Sequence, residues 1–327
     1  MRTSLDIINL VSKYIKFDSK TNKAALKTAY CTISTRSHLY KASALFESLS
    51  FHDDTAERIC WCIDGDDSSI LNNGTLVFQN EFPTDSRIDS LFHKHSSKKD
   101  KLRWSLKPIQ IECLLQTYDK VIYLDNDICF FGSPSFIWDE LNEYDLLLTP
   151  HHYPRDYTDK QNWLEANFKV GLYNAGFLAA NKKSVDALRW WAGCCLYRCE
   201  KSLIRGLFDD QKYLDLLPIV HPNTKVMEHQ GCNVAGWNVD VCRRTAGKSD
   251  TVSINDKWPI VFVHFNGFSV RAILDGDDPL LKPYLDEYIS LLKDYQPQLQ
   301  IETLWNENTL WDRLKLFAWK TLNSLKN

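Results

Sequence analysis

The sequence has no long hydrophobic run and no excess of positive charge, and each absence excludes a broad class of protein. No apolar stretch approaches the roughly 20 residues that a membrane-spanning helix needs. The 39 Lys and Arg residues are outnumbered by 42 Asp and Glu residues, and the net charge of −3 argues against a nucleic-acid partner. Asp6 and Asn9 break the start of the chain, so no signal peptide is predicted. We therefore expect a cytoplasmic protein.

The sequence also lacks paired C-x-x-C motifs, although it contains ten cysteines. Most of these cysteines lie within apolar strand or helix patterns, and no series of Cys and His residues has the spacing of a zinc site. We expect buried, reduced thiols rather than a disulfide framework.

The composition provides ample material for a core, because 44% of the residues are apolar and 13% are aromatic. Short apolar runs that are typical of strands alternate with segments of helical spacing. This alternation predicts an α/β fold in which helices flank a mostly parallel central sheet. The first predicted elements are strands at 29–34, 58–63 and 76–78 and a helix at 40–49. The expected organisation is a leader at 1–28, a single domain at 29–298 and a helical extension at 299–327.

The stretch 120–131 carries the strongest indication of a functional site. Residues 121–124 form a short apolar run of the kind found in a parallel strand that is covered on both faces, and Asp125 and Asp127 follow at its carboxyl end. Ligands of open α/β sheets collect beyond the carboxyl ends of the strands. Two carboxylates one residue apart supply hard oxygen ligands to Mg²⁺ or Mn²⁺, and substrate phosphates commonly complete such sites. The pattern predicts a metal and diphosphate site.

The Asp-x-Asp pattern occurs twice more, at Asp64 and Asp66 and at Asp275 and Asp277. Both further copies stand beside glycine in a sequence that is typical of turns. Only the copy at 125–127 ends a buried strand, so the metal site is predicted there.

Two later strands carry polar residues where apolar ones are expected. Asn174 and Gly176 interrupt an apolar strand at 171–181, and a glycine within a strand often marks a bulge or the close approach of a ligand. His264 lies near the end of a strand predicted at 259–265. It is either a hydrogen-bonded core residue or a third metal ligand, because neutral imidazole binds Mn²⁺ acceptably.

A local run of positive charge extends from His93 to Arg103. It has two interpretations: a solvated loop, or a mobile segment that covers an anionic ligand. Pro108 is expected to open a helix at 109–115, because proline suits the first helical position.

The end of the chain, from 305 to 325, has Trp and Leu residues at helical spacing with Lys and Arg residues between them. This pattern is typical of a helix that lies on a membrane surface, and equally of one that packs on protein. Peripheral contact with the inner face of the membrane through this tail is one of the two expectations.

Three segments, taken in order, resemble the motifs of one enzyme family. They are Y-L-D-N-D at 123–127, Y-N-A-G-F at 173–177 and H-F-N-G at 264–267. They are similar to the Y-L-D-x-D, F-N-A-G and H-x-x-G motifs of nucleotide-sugar glycosyltransferases with the GT-A fold, most closely glycosyltransferase family 8 and its bacterial surface-polysaccharide relatives. Asp210 and Gln211 resemble the family's D-Q pair.

The resemblance implies transfer of a sugar from a nucleotide-diphosphate donor, with a UDP-sugar favoured, to a glycan or lipid-linked acceptor. The implied ligands of Mn²⁺ or Mg²⁺ on the donor diphosphate are Asp125, Asp127 and His264. The residues implied at the transferring sugar and the acceptor are Asn174, Asp210 and Gln211. The residues implied near the nucleoside, phosphates and sugar of the donor are Thr32, Ile33, Ser34, Asp64, Arg103, Lys107, Asn126, Gly267 and Arg271.

One position departs from the family pattern, which continues as H-x-x-G-x-x-K. Val270 occupies the place of that lysine, and Arg271 follows it. Arginine can act as a diphosphate clamp, but a shift of one residue reverses the direction of a side chain in an extended chain. The segment 233–238 looks like a related bacterial motif, and no role is assigned to it.

The stereochemistry and two rival functions stay open at this point. The resemblance implies retention with Gln211 or Asp210 close to the sugar, whereas Asp210 acting as a general base on the acceptor hydroxyl would give inversion. A haloacid-dehalogenase-type phosphatase also places D-x-D at a strand end, but its pattern has Thr or Val where this chain has Cys129. A sugar-nucleotide-binding protein without turnover is the non-enzymatic alternative.

Overall fold

The computed structural model describes residues 26–247 and 251–305. Most of the predicted leader at 1–28 and of the predicted amphipathic tail at 299–327 lies outside these residues. The helices are α1 Leu39–Ser50, α2 Ser86–His95, α3 Lys99–Leu114, α4 Ser135–Glu143, α5 Gln161–Lys169, α6 Val185–Tyr197, α7 Leu217–Val220, α8 Gly267–Leu274 and α9 Lys282–Tyr295. The strands are β1 Thr28–Ser34, β2 Glu57–Cys62, β3 Thr75–Phe78, β4 Lys120–Leu124, β5 Ile128–Phe130, β6 Leu146–Pro150, β7 Tyr173–Asn181, β8 Glu200–Ser202, β9 Leu207–Asp209, β10 Thr224–Val226, β11 Arg244–Ala246, β12 Val252–Ile254, β13 Trp258–Pro259 and β14 Phe262–His264.

The central sheet has seven strands in the order β10-β6-β7-β4-β1-β2-β3. β4, β1, β2 and β3 form a parallel set, and β10 pairs parallel with β6. β7 runs against the others and pairs antiparallel with both β4 and β6. The predicted α/β fold with a mostly parallel central sheet is confirmed.

Helices cover both faces of this sheet. Successive residues of a strand point to opposite faces, so each strand contributes apolar side chains to the core on both sides. In β1, Cys31 and Ile33 pack with apolar residues of α2, α3 and α6, whereas Tyr30 packs on the other face with residues of α1 and α4. Burial of a side chain the size of Leu or Ile stabilises the fold by about 1.5–3 kcal/mol. The two-sided core explains why β1 and β4 are apolar almost throughout.

The direction of β7 determines which of its residues lie at the edge of the sheet where the parallel strands have their carboxyl ends. Leu124 at the end of β4 pairs with Phe177, and the Asp125 amide donates to the Gly176 carbonyl at 2.8 Å. In a parallel strand the first residues would lie at the opposite edge. Because β7 is antiparallel, its beginning lies beside the carboxyl ends of its neighbours β4 and β6.

The prediction of a helix that begins after Pro108 is wrong, because α3 starts at Lys99 and contains Pro108 in its interior. The proline removes one backbone donor from the helix. Burial of the helix against the sheet and α6 outweighs this loss, since Leu106 and Ile109 are fully buried. The positive run at 93–103 therefore spans the end of α2 and the start of α3 and is not a single solvated loop.

The single strand predicted at 259–265 is divided between two small sheets. β13 pairs with β12, whereas β14 pairs antiparallel with β5 and places His264 opposite Ile128. Between them, the Val261 amide donates to the Gly231 carbonyl at 2.8 Å. β12 is a close neighbour in the sequence, but β5 and Gly231 are distant, so the local pattern shows one apolar run where the fold has two strands.

All ten cysteines lie within the described ranges, where they are free thiols, and eight are buried. This confirms the expected reduced state. In 26–247 and 251–305, no helix has both the length and the apolar character needed to cross a membrane.

Candidate functional site

Three side chains from two distant parts of the chain converge where β4 ends and β7 begins. Asp125 and Asp127 follow β4, and His264 ends β14, which lies against β5. One ligand atom from each of the three lies within 4.8 Å of the others. Nε2 of His264 is 3.0 Å from Oδ1 of Asp127. The structure therefore brings together the three residues that the sequence predicts as metal ligands.

The electrostatics of Asp127 and His264 are coupled. Burial acts to raise the pKa of Asp127, but the charge and hydrogen bond of His264 outweigh it and hold that pKa well below its usual range. Burial acts to lower the pKa of His264, and the Asp127 charge raises it to a net value above normal. A divalent cation that binds here must displace the His264 proton, because imidazole coordinates in its neutral form.

Gly176 lets the β7 backbone approach the site closely. A Cβ atom at this position would lie 2.5 Å from Cε1 of His264, 2.7 Å from Oδ1 of Asn174 and 3.1 Å from Oδ2 of Asp125. Only a residue without a side chain fits there without displacing these groups. The contacts explain why a glycine interrupts an otherwise apolar strand.

The segment 233–238 orients His264. Oδ1 of Asn233 is 3.2 Å from Nδ1 of His264, and the His264 amide donates to the Val234 carbonyl at 2.9 Å. An Nδ1–H that donates to Asn233 leaves Nε2 directed towards Asp127, and metal-binding histidines commonly make such a second hydrogen bond. Asn233 has a φ of 58°, and asparagine adopts this left-handed conformation more readily than most residues.

Trp237 and Asn238 hold this segment in place. The Asn238 side-chain carboxamide donates through Nδ2 to the Asn233 carbonyl at 2.9 Å, and its Oδ1 accepts from the Ala235 backbone amide at 3.1 Å. The Trp237 ring packs edge-on against the His264 ring with a centroid separation of 5.4 Å. The imidazole is therefore fixed by a hydrogen bond on one side and by an aromatic ring on another.

Lys107 connects two carboxylates beneath the site. Its Nζ lies 3.1 Å from Oδ1 of Asp125 and 3.3 Å from Oδ2 of Asp210, and it donates to the Ala175 carbonyl at 3.1 Å. An ammonium group has three donors. Three protein oxygens lie within 3.3 Å of this ammonium, so a direct contact between Lys107 and a phosphate would compete with them.

Burial affects the two ends of the Lys107–Asp210 pair differently. Burial acts to lower the pKa of Lys107, but Asp125 and Asp210 raise it to a net value above normal, so the ammonium stays charged. Burial raises the pKa of Asp210 to about 6, against the opposing effect of Lys107. Asp210 therefore exchanges its proton much closer to neutral pH than an ordinary aspartate.

A network of amides connects Asn174 and Gln211 at the start of β7. Oδ1 of Asn174 accepts from the Gly176 amide at 2.9 Å, and Oε1 of Gln211 accepts from the Ala175 amide at 3.2 Å. His151 lies 3.3 Å from the Asn174 carboxamide nitrogen and 3.0 Å from the Gly171 carbonyl. Burial lowers the pKa of His151 to about 3, which keeps this ring neutral. The two predicted sugar-site amides thus lie against each other at the start of β7, where the Asn174 carboxamide donates to Oε1 of Gln211 at 3.4 Å.

The predicted nucleoside residues lie at the ends of β1 and β2. The Asn126 carboxamide donates to Oγ of Ser34 at 3.1 Å and so joins the acidic pair to β1. Gln110 donates to the Thr32 carbonyl at 2.9 Å. Asp64, just beyond β2, accepts from the Arg36 amide at 2.7 Å and pairs with Lys99.

Three further residues that the sequence predicts at the donor site have these positions. Ile33 belongs to the core between the sheet and its helices. Arg103 lies one turn before Lys107, pairs with Asp100 at 2.8 Å and contributes its charge to the low pKa of Asp127. Gly267 begins α8, where a Cβ atom would lie 3.3 Å from the Trp305 backbone.

A shift of one residue reverses the direction of Arg271 only in an extended chain, and the structure has a helix here instead. Residues 267–274 form α8, capped by the Asn266 side chain, which accepts from the Ser269 amide at 2.9 Å. In this helix Val270 is fully buried, and Arg271 is exposed and paired with Asp275 at 2.6 Å. The role of Arg271 at the donor diphosphate stays a prediction.

Three residues of the site had no assigned role in the sequence: Asn233, His151 and Lys41. Lys41 is buried in α1, and its charge lowers the pKa of Asp127. His151 directly follows β6, so the strand-end argument that selected Asp125 applies to it as well. Lys41 and Asn233 show no comparable local signal, because their contacts come from segments far away in the sequence.

Comparison of the sequence with known proteins identifies distant relatives. No family model matches the chain. It is 28% identical over 255 residues to the "Uncharacterized protein YfnF" of Bacillus subtilis (strain 168), a match that covers 76% of this chain and 84% of that protein. It is 25% identical over 257 residues to the "Uncharacterized protein YfnD" of the same organism, covering 74% and 78%.

Comparison with solved structures gives partial similarities. The glycosyltransferase GlyE of Streptococcus pneumoniae TIGR4 aligns with 86% of this chain at 15% identity and a TM-score of 0.46. The chain spans 63% of GlyE. The galactosyltransferase LgtC, solved with donor and acceptor sugar analogues, aligns with 83% of this chain and all of LgtC at 13% identity and a TM-score of 0.47. Mouse xyloside xylosyltransferase 1 aligns with 73% of this chain and 97% of its own at 13% identity and a TM-score of 0.45.

Substitution of Gly176 tests whether the site depends on this close approach. Gly176→Ala is expected to lower the free energy of unfolding by about 1–3 kcal/mol, because the new methyl group must displace His264 or Asn174. Gly193→Ala is the matched control: its Cβ would meet no atom within 4 Å, and alanine favours the α6 helix. Urea denaturation compares both variants with the wild type. Equal stability of the two variants would contradict the role of Gly176.

The raised pKa of Asp210 predicts a specific pH dependence. The folded protein holds this proton up to about pH 6, whereas an unfolded aspartate releases it near 3.8, so stability from this group is lost as the pH rises between these values. Relative to Asp210→Asn, the wild type is expected to lose on the order of 2 kcal/mol between about pH 4 and about pH 7. Urea denaturation across this range measures the difference. A difference that does not vary with pH would show that Asp210 titrates normally.

Proposed function

We propose that this protein is a metal-dependent glycosyltransferase of the GT-A type. It moves a sugar from a nucleotide-diphosphate donor, with a UDP-sugar favoured, to a glycan or lipid-linked acceptor in the synthesis of a surface polysaccharide. The observation that supports this proposal most strongly is the convergence of Asp125, Asp127 and His264 at one edge of the sheet. The same edge carries Lys107, Asn174 and the Asp210–Gln211 pair.

The donor atoms suit Mn²⁺ or Mg²⁺. Two carboxylates and an imidazole form a mixed oxygen and nitrogen set without thiolate, and such a set favours these ions over softer metals. The Asn233 hydrogen bond to Nδ1 leaves Nε2 of His264 available as a ligand. When bound, the cation would supply Lewis-acid stabilisation of the charge that develops on the departing diphosphate.

The protein residues of the site supply position and charge. Asn126 joins the acidic pair to Ser34 in β1, where we place the nucleoside. Lys107 holds the Asp125 carboxylate in place and partly compensates its charge. The carboxamides of Asn174 and Gln211 lie at the start of β7, where we expect them to reach a sugar bound next to Asp125.

Retention of the anomeric configuration fits the position of Asp210 better than inversion. An inverting base must reach the acceptor hydroxyl and take its proton. The Asp210 side chain is 4% exposed and is paired with Lys107, which leaves it poorly placed for that contact. We therefore assign Asp210 to stabilisation of the positive charge that develops on the sugar, together with Gln211.

The hydrogen bond from His264 to Asn233 predicts an effect on metal affinity. Asn233→Gly keeps the left-handed backbone but removes the acceptor, and we expect Mn²⁺ affinity to fall by about 10–100-fold. Asn233→Asp retains an acceptor at the same place and is expected to bind Mn²⁺ nearly as well as the wild type. Isothermal titration calorimetry measures both. An equal loss in the two variants would assign the effect to the backbone instead of the hydrogen bond.

A thermal-shift screen of nucleotide sugars with and without Mn²⁺ tests the proposed function. Only a ligand that binds the native state raises the melting temperature, so a donor is expected to stabilise the wild type in the presence of Mn²⁺ and not Asp127→Ala. Asp277→Ala is the matched control, since it lies in an exposed Asp-x-Asp copy outside the site. A donor that stabilises Asp127→Ala as much as the wild type would remove Asp127 from the site.

Product analysis with the donor found in this screen separates the rival functions. Transfer of the sugar to an acceptor supports the proposal, and release of free phosphate from a phosphate ester without transfer supports a phosphatase. Metal-dependent donor binding without transfer or hydrolysis across a broad acceptor panel supports a binding protein.

A further inference from the structure

A short hairpin precedes the candidate sugar-site residues. It consists of β8 and β9, which pair antiparallel. Its tip is a 3-10 turn at Leu203–Arg205 closed by Gly206, which has a φ of 64°. β9 ends at Asp209, directly before Asp210. The position of this hairpin is therefore tied to the position of the site.

The tip of the hairpin exposes apolar side chains. Leu203 is 65% exposed and Ile204 is fully exposed. Tyr197, at the end of α6, is 71% exposed. Two adjacent aliphatic side chains at the outermost point of a hairpin gain nothing in water and would gain free energy in a hydrocarbon environment.

Positive charge lies next to these apolar residues. Lys201 and Arg205 of the hairpin have more than half of their side chains exposed, although each pairs with an acidic residue of the hairpin, Asp209 and Glu200. The neighbouring segment 93–103 contains five Lys and Arg residues and one Asp, in a chain whose net charge is −3. The cations are therefore concentrated here and not spread evenly over the surface.

Direct contacts show that the hairpin and the basic segment form one surface. Nζ of Lys201 lies 5.3 Å from the centre of the Trp104 ring in α3. Lys94 of α2 donates to the carbonyls of Leu196 and Tyr197 at the end of α6. The basic segment therefore lies against the hairpin and against the end of α6 that precedes it.

We propose that the tip at 203–206 inserts into the surface of a bilayer that contains anionic lipids, while the lysines of segment 93–103 bind the headgroups. Apolar residues beside a cluster of cations are the two signals that together give stable peripheral binding. A protein partner is a weaker fit, because a stable protein interface buries about 800 Å² on each side and the apolar part of this surface is little more than one turn.

This contact would place the Asp210 side of the site near the membrane. A lipid-linked acceptor could then reach the site without leaving the bilayer. That consequence rests on the proposed glycosyltransferase function, whereas membrane binding by the hairpin does not. The test below measures binding alone, so its outcome is independent of enzymatic activity.

Cosedimentation of the full chain with lipid vesicles tests the inference. The wild type is expected to bind vesicles of phosphatidylcholine and phosphatidylglycerol at least about tenfold more tightly than phosphatidylcholine alone, with binding weakened by salt. Leu203→Ser/Ile204→Ser is expected to lose about tenfold or more in affinity for the anionic vesicles. Lys98→Glu is expected to weaken binding by several-fold through its charge.

The matched control is Ile70→Ser/Ile219→Ser, which removes two exposed aliphatic side chains from other surfaces. This variant is expected to bind as the wild type does, and thermal melting verifies that all variants are folded. Undiminished binding by the folded Leu203→Ser/Ile204→Ser variant would overturn the proposal, because another part of the chain would then be responsible. Failure of the folded wild type to bind either vesicle would also overturn the proposal, and the apolar tip would then be assigned to contact with a protein.

Discussion

The compensation of charge around Lys107 is the constraint on which the site depends. Asp125, Asp127 and Asp210 occupy one edge of the sheet, where three negative charges would repel one another strongly if they were not balanced. Lys107 is buried between two of these carboxylates, and His264 pairs with the third. Loss of one partner from a buried ion pair typically costs about 3–5 kcal/mol, because the other charge stays uncompensated. The same contacts therefore stabilise the fold and position the candidate ligands.

The backbone contributes as much to this site as the side chains do. The absence of a side chain at Gly176 allows β7 to pass within van der Waals distance of His264 and Asp125. The left-handed conformation of Asn233 places its carboxamide against the imidazole. Neither Gly176 nor Asn233 is itself a candidate ligand, yet both help to position the candidate ligands that they contact. A site built in this way tolerates few changes in the strands that surround it.

The sequence predicted much of the fold and part of the site. The apolar runs of β1, β2 and β4 have both faces buried, so their pattern is nearly continuous and easily identified. The acidic pair was found because a strand end is a local feature. The helix boundary at Pro108 was wrong, since burial of α3 outweighs the local preference of proline. The extended conformation considered for Val270 and Arg271 was also wrong, because these residues lie in a helix that is capped by Asn266 and packs through Val270.

The sequence by itself determined the α/β class, the strand that carries the acidic pair, and the reduced cysteines. Each of these depends on residues that are near one another in the chain, where periodicity and polarity are directly visible. Tertiary structure alone decided the direction of β7, the division between β13 and β14, and the meeting of His264 with Asp127 and of Lys107 with Asp210. Those features depend on hydrogen bonds and ion pairs between distant segments, and their free energy is realised only when the whole sheet has formed.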